Sequence, residues 1–287
     1  MHEAGSVSPR RRALVAALAV AVVLGAVAAL AVGVARGPGA GLGPVAPGGT
    51  PVLVVPGYNG SPESVGTLAA RLRSAGRPVV VVDLPDRATG DLRASATALA
   101  AAVDRTGAAR VDLVGYSAGG VVIRLWLADP ARALRARRVV LLGTPNHGTE
   151  LAGGAAAALG PGLCASICQL APGSGLLAEL NRGDETPPGP KFFSIWTAQD
   201  QTVIPPATAT LEGAANLRVQ DVCPSARLGH GDLVTSPLAL GLVVEALDGT
   251  LPDPPGPADC AALRATGATS GRAPAPPAGA GSPGGGA

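Results

Sequence analysis

Histidine is scarce in this chain of 287 residues: there are three, His2, His147 and His230. Lysine is scarcer, with Lys191 the only one, and the formal net charge is +2. The basic residues are nearly all arginine and, beyond Arg10 to Arg12, are scattered. No one-sided basic face can form, which argues against nucleic acid as a partner. Cysteine is limited to Cys164, Cys168, Cys223 and Cys260, and no histidine or third cysteine lies beside Cys164 and Cys168 to complete a zinc site. No metal is expected, and no internal repeat is present.

What is there divides into unlike parts. Residues 38–49 are almost all Gly, Pro, Ala, Leu and Val, and from Pro252 onward Pro, Ala and Gly dominate. Such compositions bury too little apolar surface to offset ordering entropy. The expected plan is an export segment over 1–37, a linker over 38–49, one catalytic domain over 50–264, and a disordered tail over 265–287.

Arg10, Arg11 and Arg12 precede an uncharged apolar run from Ala13 to Ala35. A basic flank before such a run reads as an export signal. Its length reaches what a bilayer needs, which favours an uncleaved transmembrane signal anchor over a cleaved signal peptide. The basic cluster would stay inside and the rest of the chain outside, secreted or anchored at the outer face of the membrane. Arg11-Arg12 also permits a twin-arginine signal. Four cysteines suit an exported chain with two disulfides. Cys164 and Cys168 are one helical turn apart, within bonding reach. That leaves Cys223 with Cys260, closing a loop of about 38 residues worth about 4 kcal/mol on the chain-entropy model.

From Pro51 short β-branched runs alternate with Ala-rich stretches, the pattern of a parallel sheet covered by helices on both faces. Strands are predicted over 52–55, 79–82, 111–114, 138–142, 192–196 and 217–220, and helices over 64–74, 91–105, 118–127 and 236–247. Ser236-Pro237 reads as an N-cap with Pro at the first helical position.

Gly115-Tyr116-Ser117-Ala118-Gly119-Gly120 satisfies G-x-S-x-G directly after a strand and before a helix. That setting projects a serine hydroxyl above the C-terminal edge of the sheet and makes Ser117 the candidate nucleophile. A serine needs an imidazole to take its proton. His2 precedes the apolar run, which leaves His147 and His230. The order Ser, acid, His favours His230, in Gly229-His230-Gly231. His147, in Gly143-Thr144-Pro145-Asn146-His147-Gly148-Thr149, stays open as the alternative base or as a loop-packing residue. For the acid, Asp200 lies just past the strand ending at Trp196, at the same sheet edge. Asp184, Asp221 and Asp232 are read as surface acids. The backbone N–H of Ala118 supplies half of an oxyanion hole, and the loop Pro56-Gly57-Tyr58-Asn59-Gly60 supplies the other half through Tyr58.

Together Val54-Val55-Pro56-Gly57-Tyr58, the G-x-S-x-G segment, Gly143–Thr149, Asp200 with Val203 and Pro205, Gly229-His230-Gly231, and the stretches around Cys164, Cys168, Leu170–Ser174 and Cys223-Pro224 resemble the bacterial class 2 lipases and esterases, in particular actinobacterial exported ones. The resemblance covers about Pro51 to Leu247. It implies a minimal α/β-hydrolase fold, ester hydrolysis without a cofactor, and Ser117, Asp200 and His230 as the triad. Many relatives have His where this chain has Pro56, but the donor there is backbone. Residues 151–189 are either a small cap over an acyl pocket or a surface loop.

The expected function is hydrolysis of carboxylic esters through an acyl-serine, by a monomer whose partner is an ester or lipid, with the membrane as a further partner if the N-terminal segment is kept. The alternatives are acyl transfer or thioester cleavage on envelope lipids and, in a different class, a non-catalytic tethered binding protein.

Overall fold

The structure, a computed structural model, describes residues 49–160 and 164–268. The predicted export segment, the linker up to residue 48 and the tail from residue 269 lie outside the described residues.

Six strands form one sheet: β1 (Val52–Val55), β2 (Val79–Val81), β3 (Val111–Tyr116), β4 (Ala136–Leu142), β5 (Lys191–Trp196) and β6 (Ala215–Arg218). Their order is β2-β1-β3-β4-β5-β6 and every neighbouring pair is parallel. Parallel neighbours need crossovers. These are α1 (Gly66–Ser74) between β1 and β2, α2 (Leu92–Arg105) before β3, and α3 (Ala118–Leu127) with the short α4 (Pro130–Ala133) before β4. Three helices lie between β4 and β5: α5 (Glu150–Leu159), α6 (Ala165–Leu170) and α7 (Gly175–Leu180). A single turn, α8 (Val219–Val222), follows β6, and α9 (Pro237–Asp248) and α10 (Cys260–Ala268) end the described chain. The arrangement is a minimal α/β-hydrolase fold.

The side-chain period of two in a strand sends alternate residues to opposite faces. Leu53 and Val55 accordingly join Leu113, Val139 and Leu141 in a core against α2 and α3, through Leu92, Leu99, Val103, Val122 and Trp126. Val52 and Val54 join Val114, Val140, Phe193 and Ile195 in a second core against α1 and α9, through Leu68, Leu72, Leu238 and Leu242. The inner strands β1, β3, β4 and β5 are largely buried on both faces, which is why their sequences are mostly apolar, whereas the edge strands β2 and β6 are only partly buried.

Several predicted boundaries move. Pro62–Val65 is a 3-10 turn, and the α-helix begins only at Gly66. The last strand ends at Arg218, two residues early, because Val219–Val222 coils back. There Gln220 Nε2 donates to Thr197 Oγ1 at 2.9 Å and its Oε1 accepts from Ala198 N at 3.0 Å. Ser236 is the N-cap of α9 with Pro237 behind it, but its side chain makes no capping hydrogen bond.

Two expectations are corrected. Residues 265–268, assigned to a disordered tail, continue α10, which packs across α9. A Cβ on Gly241 would lie 1.9 Å from Leu263 O and one on Gly267 1.7 Å from Pro237 O, so two glycines permit a backbone approach that composition alone does not reveal. The transmembrane expectation is also withdrawn. No helix among the described residues is long and apolar enough to cross a membrane. The longest of them, α2, has 14 residues, about 21 Å of helix against the roughly 30 Å of a hydrocarbon core. The run 13–35 itself lies outside the described residues.

The segment between β4 and β5 is a docked helical layer. Leu170, Leu176 and Leu177 enter the α2/α3 core. Gln169 fixes α6 to the start of α2, accepting from Leu92 N at 2.8 Å and donating to Asp91 Oδ1 at 2.6 Å. Ser166 Oγ donates to Thr89 O at 3.0 Å. Cys164 is bonded to Cys168 at the head of α6, and Cys223 to Cys260, the first residue of α10.

Candidate active site

β3 runs straight into α3 through Ser117, whose backbone sits at φ 53°, ψ −126°. A positive φ in a residue with a Cβ costs on the order of 1–3 kcal/mol and persists only where surroundings enforce it. Here Ser117 N donates to Leu142 O at 2.8 Å, tying the turn to the end of β4. A Cβ on Gly115 would fall 2.6 Å from Gly120 Cα, and one on Gly119 would fall 2.3 Å from Val55 O. The glycines two before and two after Ser117 therefore let α3 start against the ends of β3 and β1. Ser117 is half-buried.

The loop after β1 crosses the same point: a Cβ on Gly57 would be 2.9 Å from Ser117 Cβ. Tyr58, 42% exposed, follows on this loop. Ala118 is the first residue of α3, so its N–H has no acceptor within the helix.

Asp200 is buried just past β5, and its Oδ2 meets His230 Nδ1 at 2.7 Å. Its Oδ1 accepts from Thr202 N and Val203 N, each at 2.8 Å. The carboxylate is thus held from both oxygens, one on the peptide of its own loop and one on the imidazole. His230 lies in the loop between α8 and α9, and its Nε2 has no hydrogen-bond partner among the described residues. Tyr116 packs on this imidazole, ring centroids 5.0 Å apart, and its hydroxyl reaches His230 O at 3.5 Å. Burial, with the nearby charges of Asp200 and Asp232, pushes the Tyr116 phenol well above its ordinary range, so it remains neutral. Gly143 closes on the same ring, since a Cβ there would lie 3.0 Å from His230 Nδ1.

The structure thus brings Asp200 together with His230, and the Tyr58 loop together with Ser117, at the C-terminal ends of β1, β3 and β5. It takes the alternatives elsewhere. His147 Nε2 meets Glu185 Oε1 at 2.8 Å and its Nδ1 meets Thr208 O at 3.3 Å, so both ring nitrogens are engaged. Asp184 accepts from Thr186 N, Asp221 pairs with Arg218, and Asp232 Oδ2 accepts from Gly229 N.

Beneath His147 lies a polar cluster that the sequence reading missed. Arg124 of α3 is buried, donating to Asn146 O and Leu180 O at 3.2 Å and to Asn181 Oδ1 at 2.7 Å. Burial pushes its guanidinium down to about 10 against the pull of the Glu185 charge. A cavity of about 210 Å³ opens beside Arg124, Leu127, Leu180, Glu185 and Phe192, and none of Ser117, Asp200 and His230 lines it. An arginine inside an apolar helix was the available signal; its carbonyl partners come from two separate segments, at Asn146 and at Leu180-Asn181, and had none.

Residues 50–164 match the family model described as alpha/beta hydrolase fold, over less than half of the chain. No curated protein matches it in sequence. Among solved structures, the chain is similar to Aspergillus fumigatus lipase B, with 21% identity and a TM-score of 0.64 over 81% of this chain and 59% of that one. It spans, then, under two thirds of the fungal enzyme. It is also similar to mature Bacillus licheniformis lipase BlEst2, with 21% identity and a TM-score of 0.56 over 71% of this chain and 94% of that one. A structure of the metagenome-derived lipolytic enzymes LipS and LipT gives 16% identity and a TM-score of 0.53 over 70% of this chain and 95% of that one. At these identities the likeness is one of fold.

Proposed function

We propose that this chain, an α/β hydrolase by fold, is an exported serine hydrolase of the lipase and carboxylesterase type, with Ser117 as nucleophile, His230 as base and Asp200 as the acid that orients it. The observation that carries the reading is the 2.7 Å contact from Asp200 Oδ2 to His230 Nδ1, made at the sheet edge where Ser117 occupies a strained turn. Nδ1 held by a carboxylate leaves Nε2 to accept the Ser117 proton.

In the first step Ser117 Oγ adds to the ester carbonyl as His230 Nε2 takes its proton, and the carbonyl oxygen gains charge facing the N–H groups of Ala118 and Tyr58. Collapse breaks the bond to the alcohol, which leaves with the proton from His230. Water, deprotonated by the same imidazole, then attacks the acyl-serine and releases the carboxylic acid. The lipase names borne by two of the similar structures agree with this chemistry. Two disulfides suit an oxidising compartment outside the cytoplasm.

A fluorophosphonate should label the folded protein once, at Ser117, and Ser117→Ala should abolish both labelling and hydrolysis of p-nitrophenyl esters. An unlabelled, folded wild type refutes the reading. Ester series of increasing acyl length measure the depth of the acyl site, and an added acceptor alcohol separates hydrolysis from acyl transfer.

A further inference from the structure

The segment Gly143–Thr149 stands out in the sequence, yet the proposed chemistry uses none of its side chains. Its last residue has a specific set of partners. Thr149 is buried, and its Oγ1 donates to Thr202 O at 2.7 Å while accepting from Ile204 N at 3.0 Å. The next residue continues the tie, with Glu150 N donating to Ile204 O at 2.7 Å. Three hydrogen bonds thus fix the backbone on both sides of Val203. The two amides that hold Asp200 Oδ1 belong to Thr202 and Val203. One hydroxyl, used as donor and acceptor at once, therefore sets the geometry of the peptide groups on which the carboxylate rests.

We infer that Thr149 is a positioning residue for Asp200, acting through the 202–204 backbone, and so sets the orientation of His230. The inference rests on the reading of Asp200, His230 and Ser117 given above. Thr149 is also the N-cap position of α5, without a capping side-chain bond of its own, so its hydroxyl is committed to the acid loop and not to the helix. The start of α5 and the seat of Asp200 are one hydrogen-bonded unit. An error of about 1 Å in a reacting group can cost about a hundredfold in rate, so a looser seat should be read in turnover.

The test compares Thr149→Val, which removes the hydroxyl at similar shape, with Thr149→Ser, which keeps it. Thr149→Ala, which empties the position, stands in if the valine variant does not fold. Active sites are counted by fluorophosphonate titration, and kcat and KM for p-nitrophenyl butyrate are taken per titrated site. A low-field proton resonance from the Asp200–His230 hydrogen bond, identified by its loss in Asp200→Asn, is followed in parallel. The expected result is a fall of about ten- to a hundredfold in kcat per site with KM within about twofold, a weakened low-field resonance, and recovery of both in Thr149→Ser. Wild-type kcat per site with an unchanged resonance in Thr149→Val or Thr149→Ala overturns the inference, whatever the change in Tm. A wild type that neither labels nor turns over ester fails the functional reading instead, and the resonance still reports whether Thr149 holds Asp200.

Discussion

At the scale of the residue, two histidines with similar sequence settings have opposite surroundings. His230 offers an Nε2 with no partner among the described residues beside a carboxylate-bound Nδ1, whereas His147 spends both nitrogens on Glu185 and Thr208. His230→Ala should therefore lower kcat/KM by about three orders of magnitude or more, while His147→Ala should stay within several-fold of wild type. The latter change takes from the buried Glu185 its bond to the imidazole and leaves that from Glu212 N, so it should instead appear as a lower Tm. Arg124→Met takes the guanidinium donor from Leu180 O and Asn181 Oδ1 and leaves Asn146 O with its bond from Asn181 Nδ2. A destabilisation of about 2–4 kcal/mol is expected in urea unfolding, with little effect on labelling of the protein that remains folded. The strand-to-helix turn at Ser117 was legible from its own hexapeptide. The packing of Tyr116 on the imidazole was not, because its partner is 114 residues away.

At the scale of the element, helix termini and crossings carry the tests. Asp91 caps α2, accepting from Arg93 N at 3.0 Å, and also accepts from Gln169 of α6. The Gln169 bond first, and the backbone bond second, hold the Asp91 carboxyl below its ordinary value of 3.8. A carboxylate with a depressed folded value stabilises above its unfolded titration, and that stability is lost as pH falls through the folded one. Asp91→Ala should cost about 1 kcal/mol at neutral pH, and the gap to wild type should close on acidification below about pH 4, measured by urea midpoints. Gly241→Ala would place a methyl 1.9 Å from Leu263 O, forcing α9 and α10 apart, with an expected loss of about 1–3 kcal/mol in the same assay. The inner strands, α2, α3 and α9 were legible because their burial is written into largely apolar runs and caps. Helices α5, α6 and α7 were not, since 151–178 is uncharged and rich in Gly and Ala, with no period to distinguish helix from loop. The terminal helix α10 was hidden for a related reason, its docking depending on what two glycines lack.

For the whole molecule, the second disulfide links the turn after β6 to α10 and so bears on global stability. Cys260→Ser should lower stability by about 4 kcal/mol, near 10 °C in Tm by scanning calorimetry, and should release α10 to proteolysis before the sheet. The sequence by itself determined the layer architecture, the strand-turn-helix at Ser117 and the placing of Asp200 and His230 in loops past the strands. These follow from local periodicity, turn chemistry and the scarcity of histidine, and each can be read within a few tens of residues. Only the tertiary structure decided which nitrogen of which histidine is free, what seats Asp200, and how Thr149 and Gln169 bind the β4–β5 segment to the rest. Most of those outcomes depend on hydrogen bonds between residues 30 to 78 positions apart, many of which join a side chain to a backbone group. Every residue but proline carries the same backbone donor and acceptor, so the sequence holds no mark of which pairs will meet.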